Sequence, residues 1–452
     1  MMPNFFSGSS RPRSFHLMVK PRGSICNLDC QYCFYLKKEK LYPGAGFRMN
    51  DDILEAYTRQ YIEAQQSSEV VFAWQGGEPT LMGLPFFQKA VELQAKYCKR
   101  GMRIQNAFQT NGTLLNDDWC EFFYQNHFLI GLSIDGPRPF HDAYRQDKGG
   151  QPTFHRVMNA AELLTKHEVE FNTLTCVNAA NGNHGLEVYR FLRDELGSCF
   201  MQFIPVVERD NPSGNQEGNR LTSRSVNGPQ YGSFLIEVFD EWVRKDIAKV
   251  YVQIFDVSLA AWVGEHPGWC IFEETCGLDL AMEFNGDVYS CDHYVEPGYF
   301  LGNMQQTPME KLVMSPQQVS FGMHKKTDLP QYCRDCEVRF ICNGGCPKDR
   351  LLKTPSQEPG LNYLCSGYRT FFNYIDQPMK QMAAYLKFKM APAEIMKKMA
   401  ALPRLSETPS GAPCPCGSGR SVEQCHRNPR GFVPIGHNVP PPSQLPNTKH
   451  RH

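Results

Sequence analysis

The sequence predicts an α/β fold in which parallel βα units come first and a cysteine-rich module follows. Apolar or β-branched runs at 15–20, 70–74, 102–108, 129–134, 170–177 and 200–207 alternate with helical patterns, which is the signature of βα units around a parallel sheet or barrel. Eleven of the 18 cysteines fall into two blocks. Cys26, Cys30 and Cys33 lie near the N-terminus, and Cys270, Cys276, Cys291, Cys333, Cys336, Cys342, Cys346 and Cys365 lie in the second half. Around the second block the apolar periodicity is weak, so its core is expected to be built around metal.

Polar and glycine clusters follow three of the strands: Gln75-Gly76-Gly77-Glu78-Pro79, Gln109-Thr110-Asn111-Gly112 and Ser133-Ile134-Asp135-Gly136. In parallel α/β folds the C-terminal strand ends carry the active site, so these clusters and the first cysteine block should share one rim. The βα region is assigned to 14–230, its last stretch, 208–230, reading as a surface insertion rich in Asn, Gly, Ser and Arg. A connector at 231–265 contains an amphipathic helix through Phe234, Leu235, Val238, Phe239, Trp242 and Val243. The cysteine-rich module spans 266–375. A Met-rich helical region begins near residue 370 and supplies a helical segment at 376–409, expected to break at Pro378 and Pro392 and to use Met379, Met382, Tyr385 and Leu386 for packing. A compact Cys/His motif at 410–430 and a disordered tail at 431–452 complete the chain. Cys98, Cys120, Cys176 and Cys199, scattered in helix or strand patterns, are expected to be buried small hydrophobes.

With 452 residues, 41% of them hydrophobic and 21% charged, the chain can build a substantial soluble core. Lys plus Arg and Asp plus Glu both number 47, so no global field draws nucleic acid or an anionic membrane to the surface. The first residues contain no apolar h-region with a cleavage site, and no stretch has the length of a membrane span; a cytoplasmic protein with no membrane and no nucleic-acid partner is expected. Close C-x-x-C spacings then favour metal or redox chemistry over disulfides.

The thiolates of Cys26-x-x-x-Cys30-x-x-Cys33 can hold three corners of an iron–sulfur cubane. The fourth iron then stays open to chelate the amino and carboxylate groups of a small molecule. Zinc is the alternative, although three thiolates without a nearby histidine make an incomplete structural zinc site. With Tyr32 before the third cysteine, the motif resembles that of the radical S-adenosylmethionine (SAM) superfamily. That resemblance implies a partial (β/α)6 barrel whose open iron binds SAM and cleaves it to a 5′-deoxyadenosyl radical. It also implies that Gly76, Gly77 and Glu78 meet the SAM amino group, that Ser133 contacts the ribose, and that Thr110 and Asn111 line the same pocket. Each of these polar residues also has a local reading as a turn or cap.

The later cysteines, Cys276-x9-Gly286-x4-Cys291 and Cys333-x2-Cys336-x5-Cys342-x3-Cys346 with Cys365, resemble the SPASM domain. By that resemblance Cys270, Cys276, Cys291 and Cys346 hold one auxiliary cluster and Cys333, Cys336, Cys342 and Cys365 a second, giving three [4Fe–4S] clusters in all. Eight thiolates also satisfy two zinc ions. Over roughly 14–375 the chain looks most like the anaerobic sulfatase-maturating enzymes, on Tyr35, Gln75, Ser133-Ile134-Asp135-Gly136-Pro137 and Cys291-Asp292-His293-Tyr294. The family oxidises a Cys or Ser side chain of a sulfatase to Cα-formylglycine. The resemblance implies Asp292 as the general base, electron transfer to an auxiliary cluster, and Tyr35 and Gln75 as candidates for the substrate pocket. Its implied partners are an unfolded or nascent sulfatase presenting a C/S-x-P/A-x-R segment and a reduced flavodoxin or ferredoxin-type donor. A SPASM-type peptide maturase of another target, forming thioether crosslinks for example, and a non-enzymatic zinc scaffold are the alternative readings. Finally, Cys414, Cys416, Cys425 and His426 resemble a SEC-C motif, a complete tetrahedral set for Zn2+.

Overall fold

Six strands form where the apolar runs lie: β1 (His16–Lys20), β2 (Glu69–Trp74), β3 (Arg103–Thr110), β4 (Phe128–Ser133), β5 (Phe171–Val177) and β6 (Phe200–Pro205). All pair in parallel with their sequence neighbours. Connections by α1 (Asp51–Ala64), α2 (Leu84–Tyr97), α3 (Asp117–Gln125), α4 (Arg138–Tyr144), α5 (Phe154–Lys166) and α6 (Gly185–Arg190) cover the sheet. This is the α/β architecture of a partial barrel. Strand residues such as Phe72, Trp74, Phe108, Ile130 and Leu132 are buried, as expected of parallel strands covered by helices. Asparagine side chains start two of the helices: Asn50 accepts from the Ile53 amide and Asn116 from the Trp119 amide, satisfying donors the helix itself cannot. The computed structural model describes residues 14–409, 411–415 and 419–423. These fall into two compact units, one ending at Ala401 and one beginning at Leu402. Among the described residues no helix is long and apolar enough to cross a membrane.

The cysteine-rich module is joined to the barrel by the sheet itself. Strand β7 (Tyr251–Val252) extends the sheet beyond β6, while β8 (Asp279–Glu283) adds in parallel to the free edge of β1. Antiparallel β9 (Asp287–Tyr289) and β10 (Phe300–Asn303) continue from β8, giving the order β10-β9-β8-β1-β2-β3-β4-β5-β6-β7. Between β6 and β8 run α7 (Gly228–Lys245) and α8 (Gln253–Val263). The first of these begins with a capping box between Asn227 and Gln230, earlier than the expected end of the insertion.

Three expectations are corrected by the fold. Pro378 lies inside one helix, Cys365–Lys387, and does not break it; burial of Pro378, Met379, Met382, Phe371 and Phe372 offsets the hydrogen bond that proline cannot make. Among the scattered cysteines only Cys120 is buried; Cys98 and Cys199 sit exposed at element ends, and Cys176 is half-buried. The 208–230 segment is more than a surface excursion, because Val226 is fully buried and Arg224 makes a paired contact with Glu208. Lys37 and Lys40 donate to the carbonyls of Asn211 and Pro212, and the Gln216 amide donates to Glu296.

The helix that presents Cys365 crosses α7 at glycines. A Cβ on Gly367 would stand 2.0 Å from the Gly228 carbonyl oxygen, and one on Gly232 would stand 2.7 Å from the Gly367 Cα. Gly367→Ala therefore forces the two helices apart at a cost of about 1–3 kcal/mol. A thermal midpoint lower by a few degrees is the expected result, and an unchanged midpoint would contradict this packing.

Candidate active site

The C-terminal ends of the strands surround a cavity of about 230 Å3. Cys26, Cys30 and Cys33 line it from the loop after β1, with Gln75, Gly76 and Gly77 after β2, Thr110 and Asn111 at the end of β3, and Ser133 at the end of β4. Two adjoining loops hold each other in place. The Gly77 amide donates to the Gly23 carbonyl at 2.7 Å and the Glu78 amide to the Ile25 carbonyl at 2.9 Å. A Cβ at Gly77 would lie 2.0 Å from the Ile25 oxygen, so only glycine lets the strand end close on the cysteine loop.

Glu78 does not line the cavity. It is buried, and its carboxylate accepts from the Thr80 amide and hydroxyl, from Thr110 Oγ1 at 2.9 Å and from the Asn111 amide at 2.9 Å. Glu78 thereby ties the end of β2 to the end of β3 and aims Asn111. Asn111 Nδ2 in turn stands 3.7 Å from Cys26 Sγ and donates to Asn27. Ser133 accepts from Gln109 at 3.0 Å.

Burial pushes the Cys26 thiol up to about 12 and also raises Cys30 and Cys33. Three thiols whose ionisation is opposed by burial and by one another suit a multivalent cationic group, which removes both penalties at once. An iron–sulfur cluster with three protein ligands fits this donor set. Tyr32 donates to Asp135 Oδ2, whose other contact is Arg145 Nε at 3.0 Å. The Arg145 guanidinium also lies 5.6 Å from the Tyr32 ring centre, so Tyr32 forms part of a buried charged wall beside the thiols.

A second group of polar residues forms where β8 meets β1. Lys20 and Glu283 are register partners in that ladder. The buried Lys20 ammonium is paired with Asp292, donates to Gln75 Oε1 at 3.0 Å and lies 4.2 Å from the Tyr35 ring centre. Tyr35, also buried, donates its hydroxyl to Glu283. Asp292 opens a short 3-10 turn directly after Cys291. Asp292 itself does not line the cavity, whose wall here is formed by Lys20, Tyr35, Gln75 and His293. His293 is pushed down to about 3 by burial and by Lys348, which leaves its imidazole neutral. Lys20, Glu283 and Arg145 carry no site role in the sequence expectations, and Asp135 enters them only within the cluster after β4; a lone lysine closing an apolar strand was the available signal for Lys20.

The eight later cysteines are gathered in two sets. Burial is the largest cause of the rise of the Cys270, Cys276, Cys291 and Cys346 thiols, and Cys346 adds to the rise of the other three. Cys333, Cys336, Cys342 and Cys365 line one cavity of about 20 Å3, and burial is again the largest cause of the rise of each thiol. Of the C-terminal Cys/His motif, Cys414 is buried and donates its amide to Arg420. Cys416, Cys425 and His426, and the tail 431–452, lie outside the described residues.

Residues 21–192 match the Radical SAM superfamily and residues 276–337 match SPASM, an iron–sulfur cluster-binding domain. The chain is 45% identical over 399 residues to the serine-type anaerobic sulfatase-maturating enzyme of Bacteroides thetaiotaomicron, covering 86% of this chain and 95% of that one. It is 36% identical over 367 residues to the cysteine-type enzyme of Clostridium perfringens, covering 79% and 95%. The solved structure of native anSMEcpe with bound AdoMet and Cp18Cys peptide superposes with a TM-score of 0.74 at 34% identity, covering 82% of this chain and 99% of that chain.

Burial raises Glu283 to about 7, with Tyr35 and Lys20 opposing that rise and Asp292 adding to it. A carboxyl raised in the folded state favours folding while protonated, so its contribution declines as pH rises from the unfolded value near 4.5 through the folded one. Measured against Glu283→Gln, the stability of the wild type should fall by about 3 kcal/mol between acid and neutral pH. Parallel pH profiles for the two proteins would contradict the buried position of this carboxyl.

Proposed function

The chain belongs to the anaerobic sulfatase-maturating enzymes of the radical SAM superfamily, and we propose that it oxidises a Cys or Ser side chain of a sulfatase to Cα-formylglycine with Asp292 as the proton acceptor. The observation that carries this reading is the Lys20–Asp292 ion pair, set beside the three-thiol cavity by the pairing of β8 with β1. The reaction needs a hydrogen-atom acceptor, a base and an electron acceptor within reach of one Cβ, and the residues around this cavity suit those tasks.

Cys26, Cys30 and Cys33 would hold the cluster that binds SAM, with Gly76, Gly77, Asn111, Thr110, Ser133 and Tyr32 forming the surroundings of that cofactor. When bound, this pair supplies a 5′-deoxyadenosyl radical that takes one hydrogen atom from Cβ, and the clusters held by the two later cysteine sets supply an acceptor for one electron. The substrate must also release its thiol or hydroxyl proton; Ser then gives the aldehyde, and Cys a thioaldehyde that water converts to it. Asp292 Oδ1 is buried against Lys20 Nζ without hydrogen-bond geometry, which leaves Oδ2 as the oxygen that accepts this proton. Lys20 fixes Asp292 and Gln75 together, and Tyr35, held by Glu283, closes the wall beneath the substrate. The neutral His293 lines the same wall without adding a charge.

The peptide would enter as an extended C/S-x-P/A-x-R segment of an unfolded or nascent sulfatase, passing the 208–226 loop, whose Glu208 and Gln216 line the cavity. A reduced flavodoxin or ferredoxin-type protein would provide the priming electron, and the cytoplasm the reducing surroundings. Cys414, Cys416, Cys425 and His426 would hold Zn2+.

Anaerobically reconstituted protein given SAM, reductant and peptides containing C-x-P-x-R or S-x-P-x-R should yield 5′-deoxyadenosine and formylglycine. Deoxyadenosine without any change in the peptide would point instead to a maturase of another target. In Asp292→Asn, SAM cleavage should persist while formylglycine formation falls by roughly 100-fold or more, the usual weight of a general base. Product formation at the wild-type rate would refute the role of Asp292.

A further inference from the structure

Two cations stand beside the later thiol sets without an acid to balance them. Lys325, in the helix Pro316–Thr327, is fully buried, and its ammonium donates to the carbonyl oxygens of Cys270 at 2.5 Å and Ile271 at 2.8 Å. Arg350 donates Nε to the Gly344 carbonyl at 3.3 Å and Nη2 to the Asn343 carbonyl at 3.1 Å, inside the loop between Cys342 and Cys346. Among the described residues neither side chain forms an ion pair with a carboxylate. Carbonyls satisfy the donors but bring no net charge, and an unbalanced buried cation costs several kcal/mol. Asp279 does interact with Lys325, but burial pushes that acid toward its neutral form and its interaction with His16 is the stronger one.

What faces both cations is sulfur. Cys276 and Cys346 interact with each of them, Cys270 with Lys325, and Cys333 and Cys342 with Arg350. Arg350 therefore faces members of both sets. The helix carrying Lys325 is itself anchored to the cysteine loops, because Gln318 Nε2 donates to Gly277 at 2.8 Å and to Ser290 at 3.0 Å, and the Cys276 amide donates to Gly322. Lys325 cannot swing out to solvent without breaking these loops.

Resting on the assignment of the two later cysteine sets to iron–sulfur clusters, we propose that Lys325 and Arg350 are the fixed counter-cations of those clusters and that Arg350, shared between them, holds both reduction potentials up. Four thiolates give each cluster a net negative charge that grows on reduction. A nearby positive charge stabilises the reduced form more, and cluster potentials respond to net charge and hydrogen bonding of this kind. The two residues are positioning groups: neither lines the three-thiol cavity, and they bias where an electron leaving the substrate comes to rest.

The test is a redox titration followed by electron paramagnetic resonance, with iron analysis, on the full reconstituted chain and on Lys325→Met, Lys325→Arg, Arg350→Gln and Arg350→Lys. Arg350→Gln should lower both auxiliary midpoints, and Lys325→Met that of the Cys270 set, by at least tenfold in the reduction equilibrium, about 59 mV for one electron. The charge-preserving variants should stay near the wild type. Loss of iron only in the two neutral variants would also support the proposal, because the anion would then lack its counter-charge. Full iron with unchanged midpoints in the neutral variants would overturn it, as would equal iron loss in all four, which would make shape and not charge the requirement. A wild type without iron at these eight cysteines would instead overturn the cluster assignment, and the inference with it.

Discussion

The parallel pairing of β8 with the edge of β1 is the constraint on which the site depends. A barrel of six strands leaves β1 with an unpaired edge, and an unpaired edge accepts another strand. Here the strand comes from the cysteine-rich module, in a register that sets Glu283 opposite Lys20. From that register the rest follows in short steps. The turn after β9 carries Cys291 and Asp292 back toward the barrel rim, Lys20 receives Asp292, and Tyr35 from the cysteine loop receives Glu283. One ladder thus brings a thiol cavity and a carboxylate from a module more than 200 residues away in the chain into the same wall.

Charge is treated alike at the three thiol sets. Each is buried deeply enough to oppose thiolate formation, and each has a cation close by: Arg145 at the first, Lys325 at the second, Arg350 between the second and third. Only Arg145 has an acid within ion-pair distance, Asp135, and Tyr32 shares that acid. The contrast has a chemical sense. On the proposed reading, a cluster at the first site would accept an electron only to pass it on at once, whereas an acceptor that retains one would gain from positive charge nearby.

Much of this was legible in the sequence because its signals are local and strong. Parallel strands covered on both faces read as short apolar runs, and thiols at metal-ligand spacing are rare by chance. What stayed illegible depends on pairings between distant segments. The Glu78 carboxylate has four donors around it, two from Thr80 close by in the chain and one each from Thr110 and Asn111, more than 30 residues on, which reach it only once β2 and β3 are adjacent. Lys20 looked like the end of a strand until β8 supplied its partners. Pro378 would end an isolated helix, and it is the packing of its neighbours against α7 that carries the helix through. Cys98 and Cys199 show the opposite error, since a strand or helix pattern says little about exposure just outside an element's ends.

On the proposed reading, a substrate Cβ comes between the SAM cavity and the Lys20–Asp292 pair. A peptide carrying two deuterons on the Cβ of its target Cys or Ser tests that most directly, by mass analysis of the 5′-deoxyadenosine formed. One deuterium in each deoxyadenosine, matched by one formylglycine, is the predicted result. Deoxyadenosine free of deuterium, formed while formylglycine accumulates, would contradict it.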